Sequence, residues 1–75
     1  MFYVYLLKRK SGNETYIGYT EDLKRRISEH SWRNAKLIYY EAYLEEYDAR
    51  TRERMLKERG QTVRRLKERL KQSLR

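Results

Sequence analysis

Two tyrosine-bearing segments, Tyr3-Val4-Tyr5 and Thr15-Tyr16-Ile17-Gly18, are followed by Arg26, by His30 four residues on, and further along by the carboxylate of Glu53. Phenols, a guanidinium and an imidazole gathered on a small sheet can move a proton and hold phosphate charge, and a carboxylate beside them can anchor a hard cation. These are the groups that a site cleaving phosphodiesters needs. Ordinary roles compete for the same residues. Tyrosine favours strands, so Tyr5 and Tyr16 also fit as core aromatics with a wet hydroxyl, Arg26 as a surface ion-pair partner and His30 as a helix-end residue.

The elements that must position these groups follow from the local pattern. Phe2 to Leu7 is an almost continuous apolar run, as expected of a strand covered on both faces. Ser11-Gly12-Asn13 supplies turn chemistry before a second strand at Thr15 to Tyr19, which predicts a hairpin. With a four-residue loop, Arg9 to Gly12, Tyr5 faces Tyr16 across the strands and Tyr3 faces Gly18, all on one side. A slip of one residue would separate the tyrosines. Thr20 can cap a helix whose first turn holds Glu21 and Asp22 and whose apolar stripe is Leu23 and Ile27. Arg26 and His30 lie along the edge of that stripe, whereas Lys24 and Arg25 point elsewhere.

Lys36 to Tyr43 reads as a third strand, with Leu37, Tyr39 and Tyr43 on one face and Ile38, Tyr40 and Ala42 on the other. A second helix is expected from near Glu45–Asp48 to Gly60, which can take the left-handed conformation that ends helices. Ala49, Arg52, Glu53 and Leu56 share a face of it. Glu53 thus stands where an amphipathic helix would carry an apolar residue, and it needs a partner: a nearby arginine, or a metal or catalytic role. Gln61 to Leu74 repeats Val63, Leu66, Leu70 and Leu74 at helical spacing on a basic background.

Length and composition bound the function. Seventy-five residues leave room for one domain, spanning 1–75, that buries roughly 60% of the unfolded chain's surface. There is no cysteine and one histidine, which excludes a disulfide framework, a thiolate zinc site and a multi-histidine cluster; any metal must be held mainly by oxygen. No apolar run approaches the ~20 residues that span a bilayer, and Met1-Phe2-Tyr3 does not open a signal peptide, so the chain reads as soluble and cytoplasmic, with no membrane partner. The formal net charge is +8. Residues 1–49 hold eight Lys/Arg against eight Asp/Glu, and residues 50–75 hold eleven against three, so the excess sits in the last third. A basic surface of this kind suits nucleic acid first and an anionic membrane second, with a merely solubilising surface as the plain alternative.

The order strand, strand, helix, strand, helix, helix suggests an α+β fold with helices against a small three-stranded antiparallel sheet. On these residues the chain resembles the GIY-YIG nuclease family, specifically its small stand-alone bacterial and archaeal members. Tyr3-Val4-Tyr5 stands for the Gly-Ile-Tyr triplet, with tyrosine at the first position, and Tyr16-Ile17-Gly18 matches the second triplet. The stretch from Asp22 to His30 resembles the helix that carries the family's arginine. Leu37 to Tyr43 resembles the third strand, and Asp48 to Glu53 the helix with the metal-binding glutamate.

The resemblance implies that Tyr5 and Tyr16 are the catalytic phenols, Arg26 the phosphate clamp, His30 an accessory proton-transfer or positioning group, and Glu53 the ligand of one divalent cation, Mg²⁺ or Mn²⁺. These five should surround one shallow basic cleft. Substrate contacts are expected from Gly18, Tyr19, Lys24, Arg25, Arg64 and Arg65. The implied activity is metal-dependent endonucleolytic cleavage of DNA, including branched or structured DNA, by a monomer or homodimer; the alternative is a non-catalytic basic module that binds nucleic acid on the same scaffold. Two stretches depart from the family pattern: Thr62-Val63-Arg64-Arg65 stands where many members place an asparagine, and the link Ser31 to Ala35 is shorter than usual.

Overall fold

The computed structural model describes residues 1–29 and 34–75. Three strands, β1 (Phe2–Arg9), β2 (Thr15–Thr20) and β3 (Ala35–Tyr43), form one antiparallel sheet in the order β2-β1-β3. Helix α1 (Leu23–Glu29) connects β2 to β3, and α2 (Glu46–Glu58) and α3 (Gly60–Arg69) follow. The most apolar strand takes the centre because only there are both its faces covered: Val4, Tyr5, Leu6 and Leu7 are each no more than 1% exposed. Fully burying a residue such as Leu6 contributes on the order of 2 kcal/mol relative to leaving it in water.

The sheet separates two environments by the parity of β1. On the even side, Val4 forms a buried core with Ala49 and Leu56 of α2 and Leu66 of α3, flanked by Phe2, Ile17, Tyr19, Tyr39 and Tyr43. Tyr3 and Tyr5 lie on the odd side, together with Tyr16, Gly18 and Tyr40. The hairpin register differs from the expected one by two residues: Tyr5 pairs with Gly18 and Leu7 with Tyr16, because pairing already ends at Lys8 and Thr15 and the loop lies beyond Arg9 and Glu14. Gly12 turns this loop with φ 101°, and Lys8 ties it, its ammonium donating to the carbonyls of Arg9 and Gly12 at 3.1 and 2.8 Å. A shift of two keeps every side chain on its face, so the tyrosines stay together.

Other local expectations are revised. Asp22 rather than Thr20 caps α1, its carboxylate accepting from the Arg25 N–H at 3.1 Å, while the Thr20 hydroxyl accepts from the Asp22 N–H. Leu37 does not share the face of Tyr39. An irregularity opposite Leu6 and Leu7 pairs Leu37 with Leu7, and this extra residue on β3 moves Leu37 to the odd side. Gly60 does not end α2 in a left-handed turn. The break falls at Arg59, which is extended, and Gly60 opens α3 with φ outside the positive region.

Candidate active site

Tyr5 comes from the central strand and Tyr16 from the edge strand β2, one diagonal step apart, with ring centroids 6.2 Å apart and planes inclined by 38°. The approach depends on Gly18. A Cβ built there would collide with the ring and hydroxyl of Tyr5, so the space of the missing side chain is taken by the Tyr5 phenol itself. Gly18 is therefore positioned to aim Tyr5, where the sequence had suggested room for substrate.

Arg26, in the last turn of α1, lies against both phenols, and their proximity raises its pKa, Tyr5 acting most strongly and Tyr16 adding to it. Burial pushes the Tyr5 phenol up; Arg26 pulls it down but does not cancel the rise, and Tyr16 and Glu53 add to it. The Tyr5 hydroxyl is buried; Arg26 is the cation acting on it at close range, and no hydrogen bond of ordinary geometry reaches it among the described residues.

Glu53 completes the group from α2, a helix that touches all three strands. Its side chain is 19% exposed and its Oε2 accepts from the ammonium of Lys57 at 3.1 Å. The Lys57 Nζ also stands 5.8 Å from the centroid of the Tyr16 ring. Two phenols, two cations and one carboxylate thus form a continuous cluster along the border of α2 and β2. The expected arginine partner of Glu53 is in fact Lys57, and Arg52 from the same helix face turns to Glu41 of β3 at 3.0 Å. Sequence reasoning missed Lys57, although its position four residues after Glu53 was the available signal.

The remaining expected site residues are scattered. His30 lies outside the described residues. Tyr19 faces the even side, where its hydroxyl donates to Glu46 at 2.9 Å and the Arg50 guanidinium covers its ring at 4.2 Å. Lys24 lines a groove of about 630 Å³ with Tyr3, Glu21, Asp22, Leu23, Ile27, Leu37 and Tyr40; none of the clustered catalytic candidates lines it. Arg25 pairs with Glu29 in solvent at 3.9 Å. Arg64 and Arg65 are exposed on α3, whose apolar residues pack on the even side.

The donor set fits a hard divalent cation. Among the described residues no three His, Cys, Asp or Glu side chains converge; Glu53 is the one carboxylate of this cluster, and it acts electrostatically on the Tyr5 phenol. A cation that retains several waters requires no more than that from protein, and those waters can satisfy the orphaned hydroxyl. Among the described residues no helix is long and apolar enough to cross a membrane.

The chain matches the model of the GIY-YIG catalytic domain over residues 1–68. Neither the curated proteins nor the solved structures give a match. The match takes in both tyrosine triplets, Arg26 and Glu53 and covers nearly the whole chain, so this protein belongs to the GIY-YIG nuclease family.

Proposed function

We propose that this protein is a divalent-cation-dependent endonuclease, using Mg²⁺ or Mn²⁺, that hydrolyses DNA phosphodiester bonds, including those of branched or structured DNA. The observation that carries this reading is the buried Tyr5 hydroxyl, which has no hydrogen-bond partner of ordinary geometry among the described residues and lies close to Arg26 and Tyr16. A buried polar group without a partner costs about 1–3 kcal/mol, a cost that a functional site tolerates when substrate or water completes it. The reading carries with it a cytoplasmic protein, monomeric or homodimeric.

In this scheme Arg26 holds the non-bridging oxygens of the scissile phosphate, for which its planar fork is suited. Tyr16, beside Arg26, orients a phosphate oxygen or the attacking water. Tyr5 can take a proton from that water only as the phenolate, and Arg26 is the chain's own group favouring that form. The water oxygen then bonds to phosphorus, the bond to the leaving oxygen breaks, and the leaving oxygen picks up a proton from solvent. Glu53 would hold the cation, which when bound supplies Lewis-acid charge on the phosphate and favours phenolate at Tyr5. His30 serves as an accessory proton-transfer or positioning group, and Lys24, Arg25, Arg64 and Arg65 as contacts to the substrate backbone.

Plasmid nicking with Mg²⁺ or Mn²⁺ tests the proposal, comparing the native chain with Glu53→Ala and Tyr5→Phe at matched DNA affinity. Cation-dependent nicking that both variants lose is the expected result. Absence of cleavage on duplex, branched and single-stranded DNA, with binding intact, would instead make the chain a basic nucleic-acid-binding module.

A further inference from the structure

The Glu53 carboxylate already has a cation beside it, the ammonium of Lys57. Lys57 approaches Glu53 at 3.1 Å from the next turn of α2 and keeps its charge 5.8 Å from the Tyr16 ring. This is more than a surface ion pair, because Glu53 lies between the buried Ala49 and Leu56 and acts on the buried Tyr5. The carboxylate is therefore already neutralised from within the chain. The pair is nevertheless exchangeable: the Lys57 side chain is 48% exposed, and an ion pair with a solvated partner contributes little.

Resting on the proposed cation-dependent reading, we propose that Lys57 is the resident cation of the site, and that a divalent ion reaches Glu53 only by displacing the Lys57 ammonium. In the free protein the Glu53 carboxylate is thereby held in a charge-balanced pair. The long, half-exposed lysine stem lets the ammonium swing away without disturbing Leu56, and its proximity to Tyr16 leaves it among the groups that meet phosphate.

Direct Mn²⁺ titration, read as the loss of the free-ion electron paramagnetic resonance signal, tests this without reference to cleavage. The variants are Lys57→Met, which keeps the stem and removes the charge, Lys57→Arg, which keeps a charge, and Glu53→Gln; far-ultraviolet circular dichroism confirms that each is folded. Lys57→Met should bind Mn²⁺ at least about fivefold more tightly than the native chain, since a unit charge within a few ångströms is removed. Lys57→Arg should stay within about twofold of native, and Glu53→Gln should bind more weakly. Binding by Lys57→Met alone, with none by the native chain, would also support the proposal. If the native chain binds Mn²⁺ and Lys57→Met binds equally or less well, the displacement idea is overturned while the nuclease reading stands. If no form binds Mn²⁺, the displacement idea and the cation requirement fall together.

Discussion

Gly18 faces Tyr5 across the β1–β2 ladder, and the Tyr5 phenol occupies the volume where a side chain at position 18 would begin. Gly18→Ala should therefore push the Tyr5 ring off its position. We expect a loss of about 1–3 kcal/mol in urea unfolding from overpacking and about a 10²-fold drop in nicking rate from misplacing the phenol. In a double-mutant cycle with Tyr5→Ala, which is itself destabilising because the ring is buried, the added cost of Gly18→Ala should shrink once the ring is gone, with no return of activity.

Glu41 is the hub that fastens β3 to α2. Its carboxylate accepts from Arg52 Nε at 3.0 and 3.1 Å, from the Tyr39 hydroxyl at 2.8 Å, and from the Tyr43 hydroxyl. Arg52→Ala leaves this partly buried carboxylate short of charge, and we expect a loss of about 3 kcal/mol by chemical denaturation. Nicking by the fraction still folded should be unchanged.

The same hub sets two limits in pH. Burial alone would raise the Glu41 pKa, but the hydrogen bonds from Arg52, Tyr43 and Tyr39 outweigh it and the net shift is downward. Its stabilisation is therefore present above the ordinary carboxylate pKa and is lost as pH falls through the lowered value. Tyr43 is pushed up to about 12, by burial first and then by Glu41. The fold thus favours the neutral phenol: this stabilisation is complete below about 10 and is lost between there and about 12. Unfolding followed across pH should show stability falling between about 10 and about 12, while phenolate absorbance shows Tyr43 of the folded protein still largely protonated until about 12.

Tyr5 as the base makes cleavage depend on pH in a fixed direction. Burial raises its pKa, so in the free protein the phenol is protonated at neutral pH. The logarithm of kcat/KM should climb with pH through the neutral range, and Tyr5→Phe should abolish the climb and reduce the rate by about 10²–10⁴-fold. A flat native profile would remove Tyr5 from the role.

Arg64 and Arg65 are exposed on α3, with no described contact to the phenols. Replacing both with alanine should lower DNA affinity and reduce the slope of log K against log salt by about 1.8, since each neutralised phosphate contributes about 0.9. The cleavage rate at saturating DNA should be unaffected. Fluorescence anisotropy over a salt series measures the first effect and single-turnover nicking the second.

Short-range pattern was enough for the element order, for a first strand covered on both faces and for the common face of Tyr5 and Tyr16. A strand buried on both faces is apolar throughout, and alternation of period two survives a two-residue shift in register. It also picked out Glu53 as a carboxylate that breaks an apolar stripe and needs a partner. The i+4 spacing of Lys57 was a local hint to that partner, but Arg50, Arg52 and Lys57 all lie within about a turn of Glu53, and the packing of α2 decided among them. Arg50 goes to Tyr19 and Glu46, Arg52 to Glu41, and Lys57 to Glu53. The extra residue in β3 that moves Leu37 across the sheet, and the Tyr5 ring in the space beside Gly18, were likewise fixed only by close packing between strands. Periodicity assigns a side chain to a face; which neighbour it meets there depends on distances of a few ångströms between segments far apart in the chain.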